Sequence, residues 1–332
     1  MESGKKIAIV GGGSWATALV KILSNNCETI LWWMRNPESV AFIKSNKHNP
    51  SYLSDVELDL NKVHPRSDLT ATIAEADIII LAVPSAFLEQ TLSEISSSSF
   101  NGKAVFSAIK GIVPGPLLIV GEYLHRQLGI DYANIGVITG PCHAEEVALE
   151  KLSYLTVACK DTSHAALLAG LMNCRYIRTT VSDDIYGTEY SAVIKNIIAI
   201  ASGICHGLGY GDNFQAVLVS NAIQEIKRFV DKVSPIGRDI KDSAYLGDLL
   251  VTAYSQFSRN RTFGSMIGKG YSVKSAQMEM NMVAEGYYAV KCIAELNRKY
   301  QVELPICDAV YNILYNHASP RSTMNLLSQK LK

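Results

Sequence analysis

The sequence lacks several features that mark particular classes of protein. Its 31 Lys and Arg residues balance 31 Asp and Glu residues, so the formal net charge is zero. A nucleic-acid-binding protein normally carries a basic surplus that neutralises phosphates, so this balance argues against that class. No apolar run reaches the roughly 18 to 20 residues that a membrane-spanning helix needs. Residues 1–6 lead directly into a strand-like segment without the hydrophobic stretch of a signal peptide.

Cysteine use is equally informative. The seven cysteines lie scattered between Cys27 and Cys307, and no two of them form a CxxC pair. This pattern is typical of free thiols in a reducing compartment and suits neither a disulfide framework nor a zinc site. With 48% hydrophobic and 19% charged residues, the composition is that of a globular protein. We therefore expect a cytoplasmic protein without a metal site, and an enzyme as its class.

The first half of the chain predicts a doubly wound sheet. The length of the whole chain, 332 residues, suits two packed domains, or one large α/β domain with an extension. Short, almost wholly apolar runs are typical of buried parallel strands, and the intervening segments are long enough for crossover helices. The predicted strands are Lys6–Val10, Glu28–Met34, Asp77–Val83, Lys103–Ser107, Asn134–Thr139, Leu155–Lys160 and Arg175–Thr180. Predicted crossover helices include Ser14–Asn25 and Leu117–Leu128.

After Asp184 the pattern becomes helical, with long periodic runs separated by glycine-rich turns. The predicted helices are Glu189–Cys205, Phe214–Val233, Met278–Tyr300 and Ile306–Tyr315. We therefore predict an α/β protein with a dinucleotide-binding domain over residues 1–187 and an all-helical substrate and catalytic domain over residues 188–332.

A glycine-rich turn supports the dinucleotide-binding part of this prediction. Gly11, Gly13 and Ala16 fit the pattern GxGxxG/A between the first strand and the first helix. Gly11 permits the tight turn, and Gly13 lets the backbone approach a pyrophosphate. The helix that follows offers N–H groups and the positive end of its dipole to phosphates. This context favours a Rossmann-type cofactor site over a tight turn without a ligand.

The end of the second strand bears on the choice of cofactor. An acidic residue there would bind the ribose hydroxyls and repel a 2′-phosphate, but this chain has Met34 and Arg35. Arg35 can stack on adenine or pair with a 2′-phosphate, so NADP is allowed beside NAD. The alternative is a solvated arginine that enters a turn.

Two lysines are candidates for chemistry. Lys110 follows the fourth strand, at the sheet edge where ligands bind, although a solvent-facing loop lysine would fit equally well. Lys195 lies in an otherwise apolar helix, where desolvation would lower its pKa and make it a proton donor or acceptor near neutral pH. A lysine that snorkels from a buried helix is the alternative. Its candidate carboxylate partners are Asp248 and Glu189.

A polar, basic segment is a candidate phosphate site. Ser258, Arg259, Asn260 and Arg261 are consecutive, and arginine forks beside hydroxyl and amide donors suit a phosphate. A charged, solvated helix end would have the same composition.

Taken together, these segments resemble the bacterial-type NAD(P)-dependent glycerol-3-phosphate dehydrogenases. The motifs that carry the resemblance occur in the family's order over nearly the full length: GGGSWATAL, AVP, KGI, TGPCHAEEVA, EYSAVIKNIIAIASG, LGDLLVT, SRNRTFG, VAEGY and LPI. The resemblance implies a Rossmann-type N-terminal domain, a helical C-terminal domain and an active site between them. It further implies that sn-glycerol 3-phosphate and dihydroxyacetone phosphate are interconverted with diffusible NAD or NADP, supplying glycerophospholipid synthesis.

The resemblance also implies roles for individual residues. Lys195 would donate or accept the proton. The implied substrate-binding residues are Lys110, Gly140, Cys142, Lys195, Asn196, Asp248, Ser258, Arg259 and Asn260. With Gly11 and Gly13 of the turn, the implied cofactor-binding residues are Ser14, Trp15, Met34, Arg35, Lys110, Ala144, Arg259, Val283 and Glu285. The expected partner is a small phosphorylated substrate and no nucleic acid, and a homodimer is a candidate assembly that the sequence leaves open.

Three departures from the family pattern bear on substrate fit. Cys142 stands where a Ser or Thr hydroxyl is usual, and a thiol is a weaker hydrogen-bond donor. Tyr245 replaces a glycine before the LGDL motif, and Ser191 with Ala192 replaces a glycine pair before Lys195.

Two rival functions share the same architecture. One is a dehydrogenase that acts on a hydroxy acid or a UDP-sugar. The other is a non-catalytic NAD(P)-binding redox sensor, which would not require the set of Lys195, Asp248 and Arg259.

The side chain at the end of the second strand generates a test of cofactor choice. Replacing Arg35 with alanine should weaken NADPH binding more than NADH binding, because only NADPH presents a 2′-phosphate to that side chain. Dissociation constants for both cofactors measure the difference. Equal weakening would mean that Arg35 stacks on adenine or lies in solvent.

Overall fold

The structure, a computed structural model, describes residues 4–280 and 284–332. It divides into two compact units. The first combines the described residues up to Ile109 with Val120–Ile185, and the second combines Lys110–Ile119 with the described residues from Tyr186 onward. In the described part of the chain, no helix is both long and apolar enough to cross a membrane.

The first unit is built on an eight-stranded sheet, and a two-stranded hairpin belongs to the second unit. The strands of the described residues are β1 (Ile7–Val10), β2 (Ile30–Trp33), β3 (Val63–Arg66), β4 (Ile78–Leu81), β5 (Ala104–Ser107), β6 (Ile112–Val113), β7 (Leu118–Ile119), β8 (Ile135–Thr139), β9 (Ser153–Cys159) and β10 (Ile177–Ser182). The large sheet has the order β10-β9-β8-β5-β4-β1-β2-β3.

The sheet is doubly wound and predominantly parallel. β1 lies between β2 and β4, and all four of its residues are buried, as its apolar sequence requires. β8 pairs in parallel with β5 but antiparallel with β9, so the sheet is mixed on that side. The predicted α/β fold class is confirmed.

The sequence analysis did not predict one strand of the sheet, β3. β3 has the sequence Val-His-Pro-Arg, which lacks the apolar run by which the other strands were predicted and alternates over only four residues. Pro65 cannot donate a hydrogen bond to a neighbouring strand, but β3 lies at the edge of the sheet, where proline is tolerated.

Helices surround the sheet, and polar caps begin several of them. The helices of the first unit are α1 (Ser14–Leu23), α2 (Pro37–Asn46), α3 (Leu69–Glu75), α4 (Ser85–Leu92), α5 (Val120–Leu128), α6 (Ala144–Ala148) and α7 (Thr162–Met172). Asn36 caps α2 by accepting a hydrogen bond from the Glu38 amide, and Pro37 occupies its first turn. α1 is apolar on most of its surface and is almost wholly buried in the core of this unit.

The second unit is helical apart from the small hairpin. Its helices are α8 (Ile185–Gly207), α9 (Asp212–Val233), α10 (Asp248–Tyr254), α11 (Arg259–Gly268), α12 (Val273–Glu279), α13 (Glu285–Tyr300), α14 (Pro305–Tyr315) and α15 (Pro320–Ser328). A π-helical turn over Ser243–Gly247 precedes α10. The prediction of a single helix over Met278–Tyr300 is wrong, because Met280 is extended and ends α12 before α13 begins.

The segment Lys110–Ile119 differs from its expected position. The sequence predicted a first domain that runs through residues 1–187, but this segment clusters with the helical unit. The segment groups with the helical unit because it forms the β6–β7 hairpin, whose Ile112 and Ile119 are buried in the same apolar core as α8.

Glycines allow α8 and α11 to pack backbone against backbone. A Cβ atom on Gly203 would collide with the carbonyl oxygen of Arg261, and one on Gly264 would collide with the carbonyl oxygen of Ile200. The two helices can approach this closely only where neither carries a side chain.

This close packing predicts how much stability the protein loses when a methyl group is added at Gly264. Gly264→Ala should lower the free energy of unfolding by about 1–3 kcal/mol, the usual cost of overpacking. Gly170→Ala is the matched control, because Gly170 is an exposed glycine on α7 with open space at its Cβ position. The control should be neutral or slightly stabilising. Urea unfolding of both variants measures the difference, and equal stabilities would contradict the packing argument.

Candidate active site

A buried cluster of charged groups lies in the second unit, around Lys195. Lys195 is in α8 and is only 4% exposed. Its Nζ donates to Asp248 Oδ1 at 2.5 Å and to Thr252 Oγ1 at 2.8 Å. Nζ of Lys110 lies 3.2 Å from Asp248 Oδ2. The Asp248 carboxylate therefore contacts both lysines. The sequence offered Asp248 and Glu189 as partners for Lys195, and Asp248 accepts the hydrogen bond from Lys195.

The helix that follows the π-helical turn places both acceptors of Lys195. α10 begins at Asp248 and continues the π-helical turn over Ser243–Gly247 without a break. Thr252 follows one turn later on the same face, and its hydroxyl donates to the Asp248 carbonyl at 2.6 Å. Sequence reasoning missed Thr252. The signal that points to it is its i,i+4 spacing from Asp248.

Asn196 ties the second lysine into this cluster. Its Nδ2 donates to the backbone carbonyl of Lys110 at 2.9 Å. On the other side, a Cβ on Gly286 would lie 2.5 Å from the Asn196 carbonyl oxygen. The first turn of α13 therefore contacts the backbone of α8 beside Lys195, which explains the need for a glycine in the VAEGY motif.

The environment of the cluster changes the proton affinities of its members. Burial lowers the pKa of Lys195 to about 7, although the Asp248 carboxylate acts in the opposite direction. Burial alone would raise the pKa of Asp248, but the ammonium groups of Lys110 and Lys195 outweigh it and lower that pKa. Because burial outweighs the attraction of the Asp248 carboxylate, and the nearby Lys110 ammonium acts in the same direction as burial, Lys195 can release its proton near neutral pH.

The Ser-Arg-Asn-Arg segment forms the start of α11. Ser258 caps the helix by accepting a hydrogen bond from the Arg261 amide at 3.3 Å. Asn260 is buried, and its Oδ1 accepts a hydrogen bond from the Gly286 amide at 2.9 Å. Arg259 is exposed in the first helical turn. Ser258 and Asn260 thus accept hydrogen bonds from backbone amides, and Arg259 is exposed.

The glycine-rich turn of the first unit fits a dinucleotide. Gly11 has φ of 140°, and a Cβ there would lie 2.5 Å from the Ala82 carbonyl oxygen, so only glycine suits this position. Gly13 is the N-cap of α1, with no side-chain cap, no acidic residue in the first turn and open space at its Cβ position. The first N–H groups of a helix lack intrahelical partners and attract anions. These features suit the pyrophosphate of NAD or NADP.

The remaining predicted cofactor residues of this unit lie around the turn and after β2. Ser14 and Trp15 begin α1, Ser14 buried and Trp15 partly buried. Met34 is buried, and its side chain would lie 2.8 Å from a Cβ on Gly12. Arg35 is exposed, a position that suits either of its proposed roles.

The Thr-Gly-Pro-Cys turn is tightly packed. Gly140 has φ of 121°, and a Cβ there would lie 2.7 Å from the Tyr154 carbonyl oxygen. Cys142 and Ala144 are buried in the apolar core of the first unit, so the side chains themselves offer little surface. In the second unit, Glu285 begins α13. Val283, the other predicted cofactor residue nearby, lies outside the described residues.

A glycine-rich turn before an uncapped helix, on a doubly wound sheet, and a buried lysine–carboxylate cluster together define an oxidoreductase that uses a nicotinamide nucleotide. Comparison with known proteins specifies this class further. The sequence models of the N-terminus and C-terminus of NAD-dependent glycerol-3-phosphate dehydrogenase match residues 6–165 and 184–325. The chain belongs to the NAD-dependent glycerol-3-phosphate dehydrogenase family.

Individual relatives agree with this assignment. The glycerol-3-phosphate dehydrogenase (NAD(P)+) of Staphylococcus aureus (strain USA300 / TCH1516) is 35% identical over 328 residues, 98% of each chain. The crystal structure of glycerol-3-phosphate dehydrogenase from Coxiella burnetii has a TM-score of 0.91 at 27% identity and covers 97% of this chain and 98% of its own. The enzyme from Saccharomyces cerevisiae has a TM-score of 0.83 at 25% identity, with 97% and 99% covered. The family resemblance, the enzyme class and the NAD(P) cofactor predicted from the motifs are confirmed.

The lowered pKa of Lys195 predicts a pH-dependent stability. Between its folded pKa of about 7 and its ordinary value of 10.5, the folded chain binds fewer protons at this site than the unfolded chain. The wild-type protein should therefore gain stability relative to Lys195→Met as pH rises through this range, by at most about a factor of ten in the unfolding equilibrium per pH unit.

Urea unfolding of both proteins at pH 7, 8 and 9 tests this expectation. A stability difference that stays constant with pH would mean that Lys195 keeps an ordinary pKa in the folded protein.

Proposed function

We propose that this chain interconverts sn-glycerol 3-phosphate and dihydroxyacetone phosphate with NAD or NADP and so supplies glycerophospholipid synthesis. The observation that carries the proposal is the buried Lys195, held by Asp248 and Thr252 and able to exchange a proton near neutral pH. A sensor that only binds a nucleotide would have no use for such a group.

In this reaction Lys195 handles the proton. Held by the proposed cofactor residues around the glycine-rich turn, a nicotinamide nucleotide would supply or accept the hydride at C2 of the substrate. During reduction of the ketone, the Lys195 ammonium donates a proton to the oxygen on C2. During oxidation of the alcohol, the neutral amine of Lys195 accepts that proton. Asp248 and Thr252 fix the position of Lys195 Nζ during both reduction and oxidation.

Lys110 has a supporting role in the same proposal. Its ammonium stays beside Asp248 and keeps the carboxylate paired when Lys195 is neutral. Asn196 holds the Lys110 backbone, which keeps that lysine in place. A substrate-binding role for Lys110, Asn196, Gly140 and Cys142 follows from the family resemblance, and so does a contact between Lys110 and the cofactor.

The phosphate of the substrate is the proposed ligand of Arg259, with Ser258 and Asn260 beside it. Ser258 caps α11, and Arg259 and Asn260 lie in its first turn, where the helix dipole favours an anion. Arg259 can bind two phosphate oxygens with its planar fork. Such binding energy, remote from the reacting carbon, positions C2 for reaction. Arg259 is also proposed to lie near the cofactor.

For the cofactor, we propose that Gly11, Gly13, Ser14 and Trp15 bind the pyrophosphate side. Met34 and Arg35 would bind the adenosine side. Ala144 and Glu285 complete the proposed set among the described residues. Within this set, Arg35 is the residue proposed to pair with the 2′-phosphate that distinguishes NADPH from NADH.

The cytoplasm is the proposed location, because all seven cysteines are free thiols, as a reducing compartment favours. A homodimer stays the candidate assembly. Sedimentation analysis would distinguish it from a 36.3 kDa monomer.

The direct test of this function follows NADH and NADPH absorbance with dihydroxyacetone phosphate, alongside ketones of hydroxy acids and of UDP-sugars. We expect oxidation of the nucleotide with dihydroxyacetone phosphate and little with the rivals. Turnover of a hydroxy-acid ketone in its place would overturn the substrate assignment.

The proposed phosphate contact generates a prediction for Arg259→Lys. Lysine keeps the charge but loses the paired hydrogen bonds. The expected loss is roughly 1.5–3 kcal/mol, or about ten- to a hundredfold in kcat/KM, with kcat falling as KM rises because phosphate binding positions C2. Unphosphorylated dihydroxyacetone is the control, since it should be a poor substrate for both forms. An equal loss on both substrates would assign Arg259 to the cofactor or the fold.

A further inference from the structure

Three consecutive carbonyl groups of the glycine-rich turn each accept a hydrogen bond from a side chain. The donors and acceptors are, in order along the turn, Trp32 Nε1 to Gly11 O at 2.7 Å, Asn49 Nδ2 to Gly12 O at 3.1 Å, and Thr17 Oγ1 to Gly13 O at 3.0 Å. The proposed function assigns no role to these donor side chains.

Asn49 is fixed by an unusually complete set of contacts. It is 1% exposed, and its second Nδ2 hydrogen bond goes to Thr17 Oγ1 at 2.9 Å. Its Oδ1 accepts hydrogen bonds from the Ser51 and Tyr52 amides at 3.0 and 3.2 Å. Both N–H groups and both oxygen lone pairs of this side chain are used. A reversed amide would lose the bonds to the Gly12 carbonyl and to the Ser51 and Tyr52 amides. Asn49 therefore connects the chain after α2 to the glycine-rich turn.

Trp32 provides the second contact, and its neighbour provides a natural comparison. Trp32 is fully buried on β2, and its indole N–H reaches the Gly11 carbonyl. Trp33 is also buried, but its indole N–H donates to the Ser67 carbonyl at 3.0 Å, outside the turn. The two tryptophans make the same kind of bond to different backbone segments.

Holding a carbonyl also fixes the N–H group of the same peptide. The described residues contain no cis peptide bond, and in a trans peptide the C=O and N–H bonds point in opposite directions. The bonds to Gly11 O and Gly12 O therefore set the directions of the Gly12 and Gly13 N–H groups. Gly13 O also accepts a hydrogen bond from the Thr17 amide at 3.0 Å, so the Thr17 hydroxyl supports a direction of the Ser14 N–H group that the helix already sets. These N–H groups belong to the turn and helix start where an anion would bind.

We propose that Trp32 and Asn49, together with Thr17, are positioning residues for the cofactor. Their side chains donate to the carbonyl groups of the glycine-rich turn, on the side away from the proposed cofactor site. In this way they direct the N–H groups of the turn toward the pyrophosphate without touching the cofactor themselves. This inference rests on the cofactor role proposed for Gly11 and Gly13. It predicts that affinity for a pyrophosphate depends on buried side chains that only contact protein.

The paired tryptophans give the first test. Calorimetry should compare Trp32→Phe and Trp33→Phe with the wild-type protein for NADH, ADP-ribose and AMP, of which AMP lacks a pyrophosphate. Loss of one neutral hydrogen bond is worth about a five- to tenfold change in affinity. We expect Trp32→Phe to weaken NADH and ADP-ribose by about that factor and AMP by less than twofold. Trp33→Phe should bind all three like the wild type, with a comparable loss of unfolding free energy.

A second variant keeps the test decisive if the tryptophan change disturbs folding. Asn49→Asp has the same shape and can still accept from Ser51 and Tyr52, but it loses both donors and places a negative charge beside the turn. We expect a loss of more than tenfold in affinity for NADH and ADP-ribose. Asn46→Asp, an exposed change of the same charge on α2, is the matched control and should have little effect.

The outcomes separate this inference from the proposed function. If the wild type binds NADH and ADP-ribose but Trp32→Phe and Asn49→Asp bind them equally well, the positioning role is wrong and the function stands. The same conclusion follows if AMP affinity falls as much as ADP-ribose affinity, which would indicate a general structural loss. A wild-type protein that binds neither NADH nor ADP-ribose would overturn the cofactor site and this inference with it.

Discussion

The hydrogen-bonded ion pair between Lys195 and Asp248 is the interaction on which the chemistry of the second unit depends. A charge buried in an apolar helix is costly unless it is paired and hydrogen-bonded. Asp248 and Thr252 meet that requirement for Lys195, and Lys110 shares the carboxylate. The result is a lysine that is held firmly and yet gives up its proton near neutral pH, which is the property a dehydrogenase needs in both directions of its reaction.

The packing of the helices explains why the ion pair lies where it does. α8 contacts α11 through Gly203 and Gly264, and it contacts α13 through Gly286. These close approaches bring the starts of α11 and α13 beside the middle of α8, where Asn260 links one to the other through the Gly286 amide. The proposed phosphate-binding residues and the proposed proton carrier are therefore held by the same few backbone contacts of one unit.

Local signals in the sequence predicted much of this structure, and non-local ones were missed. The strands of the parallel core, the glycine-rich turn and Lys195 each have a local pattern that requires them. Thr252 was missed because a threonine inside a helix is common, and only its partner on α8 gives it a role. The sequence analysis expected the hairpin at Lys110–Ile119 in the first domain, whereas the structure groups it with the second unit. Its apolar residues could be buried in either core, and the sequence does not show in which.

The same reasoning applies to the first unit. Trp32 looks like one more apolar residue of a buried strand, since a sequence shows neither the direction of an indole N–H nor the carbonyl it meets. Asn49 could not be singled out either, because it lies in a loop, where asparagine is common.

The most direct measurement of the central claim is the turnover of Lys195→Ala with dihydroxyacetone phosphate, beside its dissociation constant for NADH. The account predicts that kcat falls by about 10²–10⁴-fold while NADH affinity stays within a few-fold, whereas a variant that keeps most of its turnover would remove Lys195 from the mechanism.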